Sequence, residues 1–196
     1  TTLLGIILGL IKPTTGEIYL LGKDFLKCRA ECLKKINFAS PYLDLPKKLT
    51  VMQNLVFYSR MYGIFKNTEI IYYLANKLRI ENLLGKEFGS LSSGQKTRVC
   101  LCKSLVNNPE LLLLDEPTAS LDPETSFFIR EFLSEYQKRH EIIILLASHN
   151  MSEIEEICKE VIVLNKGNII LKGEPRSLIK KEKFRNLEEL FLNIGK

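Results

Sequence analysis

The sequence has no apolar stretch long enough to cross a bilayer. Its apolar runs, such as Leu111–Leu114 and Ile142–Ala147, fall far short of the roughly 20 residues that a spanning helix needs. It also has no internal repeat and no low-complexity linker, which argues against solenoids and flexibly joined modules. The 196 residues therefore predict one globular domain, or one domain with two lobes, and are enough to bury a core.

The sequence also lacks a cysteine pattern typical of zinc sites or disulfide frameworks. It has five cysteines, an odd number, and two close pairs fall on predicted helices: Cys28 with Cys32, and Cys100 with Cys102. Neither pair has a second pair at the spacing that a zinc site needs. We therefore expect scattered, buried thiols in a reducing compartment.

The charge is mildly positive, with a net charge of +5. Much of the excess lies in the stretch "LIKKEKFR" near the C-terminal end, where it could form a patch for nucleic acid or anionic lipid. Glutamates are interleaved with these lysines and arginines, which favours a solvated helix face instead. No nucleic-acid partner is expected.

Hydrophobic periodicity predicts alternating helices and strands. Residues 1–11 are apolar at helical spacing until Lys12 and Pro13 end the pattern. Thr50 and Thr68 are expected to cap two further helices between residues 49 and 87. The remaining predicted helices cover residues 28–36, 93–107 and 123–139.

The predicted strands indicate an α/β core. "NFAS" follows the second helix, and "LLLLD" and "IIILLAS" are continuous apolar runs of strand length. Strands that are apolar on both faces and alternate with helices indicate a mostly parallel sheet covered on both sides. "EVIVLN" and "IILKG" predict a hairpin around residues 165–168. A helical insert thus interrupts an α/β core.

Two carboxylates follow the apolar strand "LLLLD". Asp115 ends the strand, Glu116 follows, and Pro117 breaks the strand. Carboxylates at the carboxyl end of a parallel strand lie where α/β sheets bind ligands. The carboxylate of Asp115 is suited to holding Mg²⁺, and that of Glu116 can accept a proton from an attacking water. The alternative is simply a polar strand end with a proline stop.

The stretch "GSLSSGQKTRVCL" predicts a capped helix start. Ser92 and Gln95 have the spacing of a capping box, which requires only a helix N-terminus. Such an N-terminus, with a serine hydroxyl and Gly94 beside it, is also an anion site. Lys96 and Arg98 oppose the helix dipole in these first turns, and a bound phosphate would explain their charge.

Two more polar residues stand at the start or end of predicted elements. Asp122 precedes Pro123 as a helix N-cap, and the same loop could cross to a partner subunit. His149 follows the strand "IIILLAS". It is either a structural hydrogen-bonding residue or a contact to a γ-phosphate or attacking water.

Taken in order, these motifs resemble the ATP-binding cassette (ABC) family of ATPases over essentially the whole chain. "LSSGQ" is similar to the family signature LSGGQ, with Ser93 in place of a glycine. "LLLLDE" resembles its Walker B strand, Ser120 to Asp122 its D-loop, and His149 its switch histidine.

The resemblance also implies a role for the opening residues. Thr1 and Thr2 resemble the hydroxyl pair that closes the Walker A loop, with Thr1 as a ligand of Mg²⁺ beside Asp115. The preceding glycines and lysine, which would cradle the β- and γ-phosphates, are not in this sequence. We therefore expect an N-terminally incomplete cassette that, as written, binds ATP poorly and barely hydrolyses it.

The implied fold is a P-loop NTPase of the RecA-like type, a mostly parallel sheet with an inserted α-helical subdomain and missing N-terminal strands. The expected core covers residues 1–41 and 109–172, the helical subdomain 42–108, and a C-terminal helical tail 173–196. The implied nucleotide-binding residues are Thr1, Thr2, Ser92, Ser93, Gly94, Gln95, Asp115, Ser120 and Asp122. Glu116 and His149 are the implied catalytic residues.

One position departs from the family pattern. A glutamine usually stands where the core strand leads into the helical insert, and here the stretch "INFASPYLDLPKKLTV" places Pro41 or Ser40 there. Neither side chain offers the amide that contacts Mg²⁺ and water. This puts the usual coupling between ATP site and helical lobe in doubt.

The resemblance implies an ATP-hydrolysing subunit of an ABC transporter, with ATP and Mg²⁺ as cofactors. A second cassette, identical or different, would complete each ATP site, and an integral membrane permease would dock near residues 42–62. The location would be cytoplasmic, on the inner face of the cell membrane. The C-terminal stretches "SHNMSEIEEICKEVIVLNKGNIILKGEP" and "NLEELFLNIGK" resemble stand-alone exporter subunits.

Two alternatives remain open. One is a soluble ABC ATPase of translation or DNA repair. Such proteins usually carry two cassettes or long coiled-coil inserts, and neither is seen in this sequence. The other is a degenerate, non-catalytic partner cassette. The missing glutamine favours it, whereas Glu116 and His149 argue against it.

Overall fold

The computed structural model describes residues 2–41, 43–119 and 121–194. The chain divides into two compact units, residues 1–147 and 148–196, here called the first unit and the second unit. None of the described helices is long and apolar enough to cross a membrane.

The first unit contains five short strands and six α-helices among the described residues. In chain order they are α1 (Thr2–Ile7), β1 (Tyr19–Leu20), β2 (Lys23–Asp24), α2 (Arg29–Lys34), β3 (Ile36–Ala39), α3 (Val51–Met61), α4 (Thr68–Lys77), α5 (Ser93–Leu105), β4 (Leu111–Asp115), α6 (Pro123–His140) and β5 (Ile143–Ala147). Two 3-10 turns, Glu81–Leu83 and Phe88–Ser90, precede α5.

The main sheet is parallel, with strand order β3-β4-β5. The central strand β4 is buried at all five positions, because its leucines pack on both faces. This confirms the predicted parallel α/β sheet, with α3, α4 and α5 inserted between β3 and β4. The carboxyl ends of the strands lie together, since Ala39 pairs with Leu114 and Asp115 with Ala147.

The first helix is shorter than predicted. It ends at Ile7, and Gly9 then adopts a left-handed conformation with φ of 69°. Leu10 N–H donates to Gly5 O at 2.8 Å, which closes the helix in the way glycine-capped helices end. A Cβ at Gly9 would lie within 3.0 Å of Arg29 and Phe25, so the close approach also requires glycine.

The two predicted threonine caps differ in outcome. Thr50 caps α3 in a complete capping box with Gln53. The prediction for Thr68 is wrong, because Asn67 occupies the cap position and Thr68 is the first helical residue. Asn67 makes no cap bond. Its amide donates instead to Ser59 Oγ at 2.6 Å, which fixes the start of α4 through a tertiary contact.

The second unit contains α7 (Met151–Ile157), β6 (Val161–Asn165), β7 (Asn168–Gly173), α8 (Pro175–Glu182) and α9 (Leu187–Ile194). Strands β6 and β7 form the predicted antiparallel hairpin, with Lys166 and Gly167 at positive φ in its turn. A small core of Ile154, Leu187 and Leu190 holds the helices together.

Candidate functional site

Strand β4 carries two carboxylates to the carboxyl edge of the sheet, as the sequence predicts. Asp115 is its last residue and is 5% exposed. Glu116 follows directly and is partly buried. Ser40, at the end of the neighbouring strand β3, is also buried. The edge of the sheet therefore holds acidic and hydroxyl oxygens in a largely enclosed setting.

Glu116 has an unusual backbone conformation. Its φ is 53°, in the left-handed region that residues other than glycine rarely adopt. Its N–H donates to Ala147 O at 2.8 Å, and its carbonyl accepts from Ala119 N–H at 3.1 Å, which holds the turn in place. A held, strained conformation next to a buried carboxylate is a recognised feature of functional sites.

The start of α5 has the predicted capping box. Ser92 Oγ accepts from Gln95 N–H at 3.4 Å, and Gln95 Oε1 accepts from Ser92 N–H at 3.1 Å. Ser92 and Ser93 are exposed. Helix geometry leaves the N–H groups of Ser93 and Gly94 without an intrahelical acceptor. This exposed N-terminus can therefore receive an anion.

The starts of α5 and α6 are in contact. A Cβ added at Gly94 would lie 3.4 Å from Thr125 Cγ2 and 4.0 Å from Leu121 Cδ2. Asp122 caps α6 by accepting from Thr125 N–H at 2.8 Å, and that hydrogen bond lowers the pKa of its carboxyl below the usual value. The structure therefore brings Gly94 close to the cap that Asp122 forms.

The charge of Arg98 has a structural explanation. Its Nη1 donates to Arg79 O at 3.2 Å and to Leu78 O at 3.4 Å, carbonyls at the end of α4. Burial lowers the pKa of Arg98 without neutralising it. Its positive charge therefore does not require a phosphate. The ammonium of Lys96 lies 5.8 Å from the centre of the Phe88 ring.

The other predicted site residues belong to separate parts of the sequence. Thr2 begins α1 and is exposed, whereas Thr1 and Ser120 lie outside the described residues. His149 is exposed and belongs to the second unit, where Asn150 caps α7 by accepting from Glu153 N–H. Pro41 directly follows Ser40 at the end of β3.

The donor set fits Mg²⁺ only in combination with phosphate. The buried carboxylate of Asp115 is the hard oxygen ligand that Mg²⁺ prefers. Among residues 2–41, 43–119 and 121–194, no group of three or more acidic, histidine or cysteine side chains could hold a metal ion. Magnesium is commonly bound by one or two carboxylates together with phosphate oxygens and water, which matches this arrangement.

The sequence did not predict a cluster of polar side chains that lies between α5 and β3. Lys103, Asn37 and Asn107 join α5 to β3 through side-chain hydrogen bonds. A lysine within the otherwise apolar stretch "VCLCKSL" of a core helix was the available signal.

Comparison with known proteins places this geometry in a family. A model of the ABC transporter family matches residues 1–119. The chain is 31% identical over 197 residues to the ABC transporter ATP-binding protein NatA of Bacillus subtilis, covering 98% of this chain and 79% of NatA. It is 33% identical over 184 residues to the Nod factor export ATP-binding protein I of Burkholderia thailandensis, covering 93% of this chain and 60% of that protein.

A solved structure agrees with these relatives. The chain is similar to cbiO1 from Clostridium perfringens, part of the ABC transporter complex cbiONQ, with a TM-score of 0.79 and 30% identity. The match covers 93% of this chain and 75% of that one. The signature-like helix start, the acidic end of β4 and the parallel sheet are thus those of a known P-loop NTPase type, and the chain belongs to the ABC transporter family of ATP-binding proteins.

Proposed function

We propose that this protein is the ATP-hydrolysing subunit of an export-type ABC transporter. The observation that carries the proposal is the pair of carboxylates at the end of β4, Asp115 buried and Glu116 held at positive φ. The similarity to a Nod factor export protein supports the export direction. The chain spans 60% of the length of that relative.

In this proposal each residue has a distinct task. Asp115, together with the Thr1 hydroxyl, would hold Mg²⁺, which supplies charge neutralisation at the phosphates when bound. Glu116 would orient an attacking water and accept its proton. His149 would contact the γ-phosphate, and Thr2 would donate a hydroxyl to the phosphates. Positioning and charge stabilisation supply most of the catalysis in phosphoryl transfer.

A second cassette would complete the site. The exposed N-terminus of α5, with Ser92, Ser93, Gly94 and Gln95, offers N–H donors to an anion from outside the chain. Ser120 and Asp122 would lie at the same interface, since Gly94 packs beside the start of α6. The partner cassette could be identical or different, because either would present a nucleotide to the same helix start.

The inserted helices α3, α4 and α5, here called the helical part, offer a surface for a membrane permease. A shallow, open depression of about 530 Å³ lies along α3 between Leu49 and Met61. Phe57 and Met61 stand beside it with 50% and 69% of their surfaces exposed. Exposed apolar side chains of this size indicate a protein partner. A permease helix against this surface would place the protein on the inner face of the cell membrane.

A non-catalytic partner cassette is the second candidate. It is favoured by the residue that stands where the family usually has glutamine, which is Pro41 or Ser40 in this chain. A cassette of this kind would bind nucleotide and dimerise without turning it over.

Replacing Glu116 by glutamine separates the two candidates. Glutamine keeps the size of the side chain but accepts no proton, so Glu116→Gln should lower ATP hydrolysis by at least about 100-fold. Nucleotide affinity should be unchanged, because the amide still fits the site. The measurement is steady-state phosphate release and nucleotide binding by the natively expressed protein.

The control is Glu131→Gln, an exposed position on α6 with the same loss of charge. Hydrolysis in this variant should equal that of the wild type. A wild-type protein that binds ATP without hydrolysing it would establish the non-catalytic candidate instead.

A further inference from the structure

Among the described residues, the outer edge of the parallel sheet is hydrogen-bonded by side chains rather than by another strand. Strand β3 pairs with β4 on one side and is an edge strand within the described part of the sheet. An edge strand presents unpaired carbonyls that must find other donors. On β3 the carbonyls of Ile36 and Phe38, two residues apart, point to this outer side and accept from side chains.

The donors come mainly from α5. Lys103 Nζ donates to Phe38 O at 2.9 Å, and Asn107 Nδ2 donates to Ile36 O at 3.4 Å. The Tyr62 hydroxyl, just beyond α3, donates to Ile36 O at 3.4 Å. The strand edge is therefore held by α5 and its flanking residue Asn107, with a contribution from the end of α3.

A buried asparagine ties these donors together. Asn37 is 3% exposed, and its Nδ2 donates to Asn107 Oδ1 at 2.8 Å and to Lys103 O at 3.5 Å. Its Oδ1 accepts from Lys103 Nζ at 3.5 Å. We call Asn37, Tyr62, Lys103 and Asn107 the edge clamp.

Lys103 is the charged member of the edge clamp. Its ammonium lies between the Phe38 carbonyl, the Asn37 amide oxygen and the Tyr58 ring, whose centre is 5.5 Å away. These groups are neutral, and burial lowers the pKa of Lys103. A desolvated ammonium with few acceptors is held where those acceptors lie, so the contact fixes the position of the side chain.

The clamp lies at the opposite end of α5 from the capped, anion-receptive start. At 1.5 Å per residue, Ser93 and Lys103 are separated by about 15 Å of continuous helix. Strand β3, the other half of the clamp, runs directly into Ser40 and Pro41. A rigid helix transmits a displacement at one end to the other end.

We propose that Lys103 is a positioning residue that locks α5 to β3, so that the helix start at Ser92–Gln95 and the sheet edge at Ser40 move as one body. This inference rests on the proposed function, in which that helix start receives a nucleotide phosphate. It also supplies a coupling between the helical part and the sheet in a chain that has Pro41 or Ser40 where the family usually has glutamine.

Hydrogen–deuterium exchange of the full chain without nucleotide tests the lock directly. Lys103→Met keeps the length of the side chain but removes its donors. Exchange should rise by about tenfold in residues 36–39 and also in the hydrogen-bonded N–H groups of residues 95–97, since a charged hydrogen bond is lost. Lys103→Arg keeps the charge and should restore both segments to within about twofold of the wild type. Lys138→Met, an exposed lysine on α6, is the control for charge loss.

Faster exchange in residues 36–39 with no change in 95–97 would show a purely local role and would overturn the proposal. If Lys103→Met does not fold, Tyr62→Phe removes a weaker donor of the same clamp. It should raise exchange by about two- to threefold in the same two segments.

Steady-state hydrolysis by the natively expressed protein gives the functional readout. Lys103→Met should lower kcat with little change in KM, and Lys103→Arg should recover it, because the residue touches no substrate. If the wild-type protein does not hydrolyse ATP, the proposed function is wrong. The exchange result still decides whether the edge clamp exists, because it is measured without nucleotide. Unchanged kcat and unchanged exchange in Lys103→Met would overturn the inference.

Discussion

Glu116 combines a carboxylate at the edge of the sheet with a backbone conformation that its side chain disfavours. The φ of 53° is imposed by two backbone hydrogen bonds, from its own N–H to Ala147 O and from Ala119 N–H to its carbonyl. An L-residue in this region loses about 1–2 kcal/mol relative to the right-handed one, and glycine does not. The glutamate at this position therefore lowers local stability relative to glycine.

Two substitutions at this position measure that strain. Glu116→Gly and Glu116→Ala both remove the carboxylate, so they differ mainly in backbone preference. The glycine variant should have a free energy of unfolding about 1 kcal/mol higher than the alanine variant. Urea denaturation followed by circular dichroism gives both values.

The matched pair is Glu135→Gly and Glu135→Ala, at an exposed position inside α6. There the order should reverse, with glycine less stable than alanine by about 1 kcal/mol. Equal stabilities of the two Glu116 variants would mean that the turn carries no strain.

At the scale of the helices, the capping residue decides where each helix begins. The sequence predicts some of these capping residues correctly and misplaces one. Thr50, Ser92 and Asp122 cap their helices as predicted, because each side chain bonds to an N–H two or three positions along the same segment. Local chemistry of this kind is visible in the sequence. The start of α4 was misplaced because Asn67 is engaged with Ser59, a contact that depends on how α3 and α4 pack.

The same distinction applies to the candidate site. The acidic end of β4 and the capped start of α5 could be predicted, since each depends only on residues within one short stretch of sequence. The edge clamp could not, because Lys103 and Phe38 are 65 residues apart and meet only after α5 packs on β3. The positive φ of Glu116 likewise follows from hydrogen bonds to neighbouring segments rather than from the residue type.

The two threonines of the helical part provide a direct comparison of caps. Thr50→Ala should lower the free energy of unfolding by about 1 kcal/mol, because Gln53 N–H loses its acceptor. Thr68→Ala should change it by less than about 0.5 kcal/mol, because Thr68 is exposed and is not the cap. Chemical denaturation of both variants is the measurement. A larger loss at Thr68 than at Thr50 would contradict this assignment of the caps.

At the scale of the whole molecule, the two units have separate hydrophobic clusters. The first unit buries Leu113, Ile36 and Phe25 around its sheet, while the second unit is centred on Ile154, Leu187 and Leu190. Each unit also contains its own buried or partly buried thiol. Cys102 is fully buried in the first, and Cys158 packs against the cluster of the second, where burial raises its pKa to about 11. Thiol labelling can therefore follow each unit separately.

Leu190→Ala should loosen the second unit selectively. Leu190 is fully buried in α9, and its truncation should cost that unit about 3 kcal/mol. Alkylation of Cys158 in native buffer should then become at least about tenfold faster, because local opening is more frequent. Alkylation of Cys102 should not change. The control is Leu192→Ala on the same helix, where the side chain is 63% exposed and nothing is lost from the core. If Cys102 and Cys158 accelerate equally in Leu190→Ala, the cavity weakens the chain as one cooperative whole, and the two clusters do not act as separate cores.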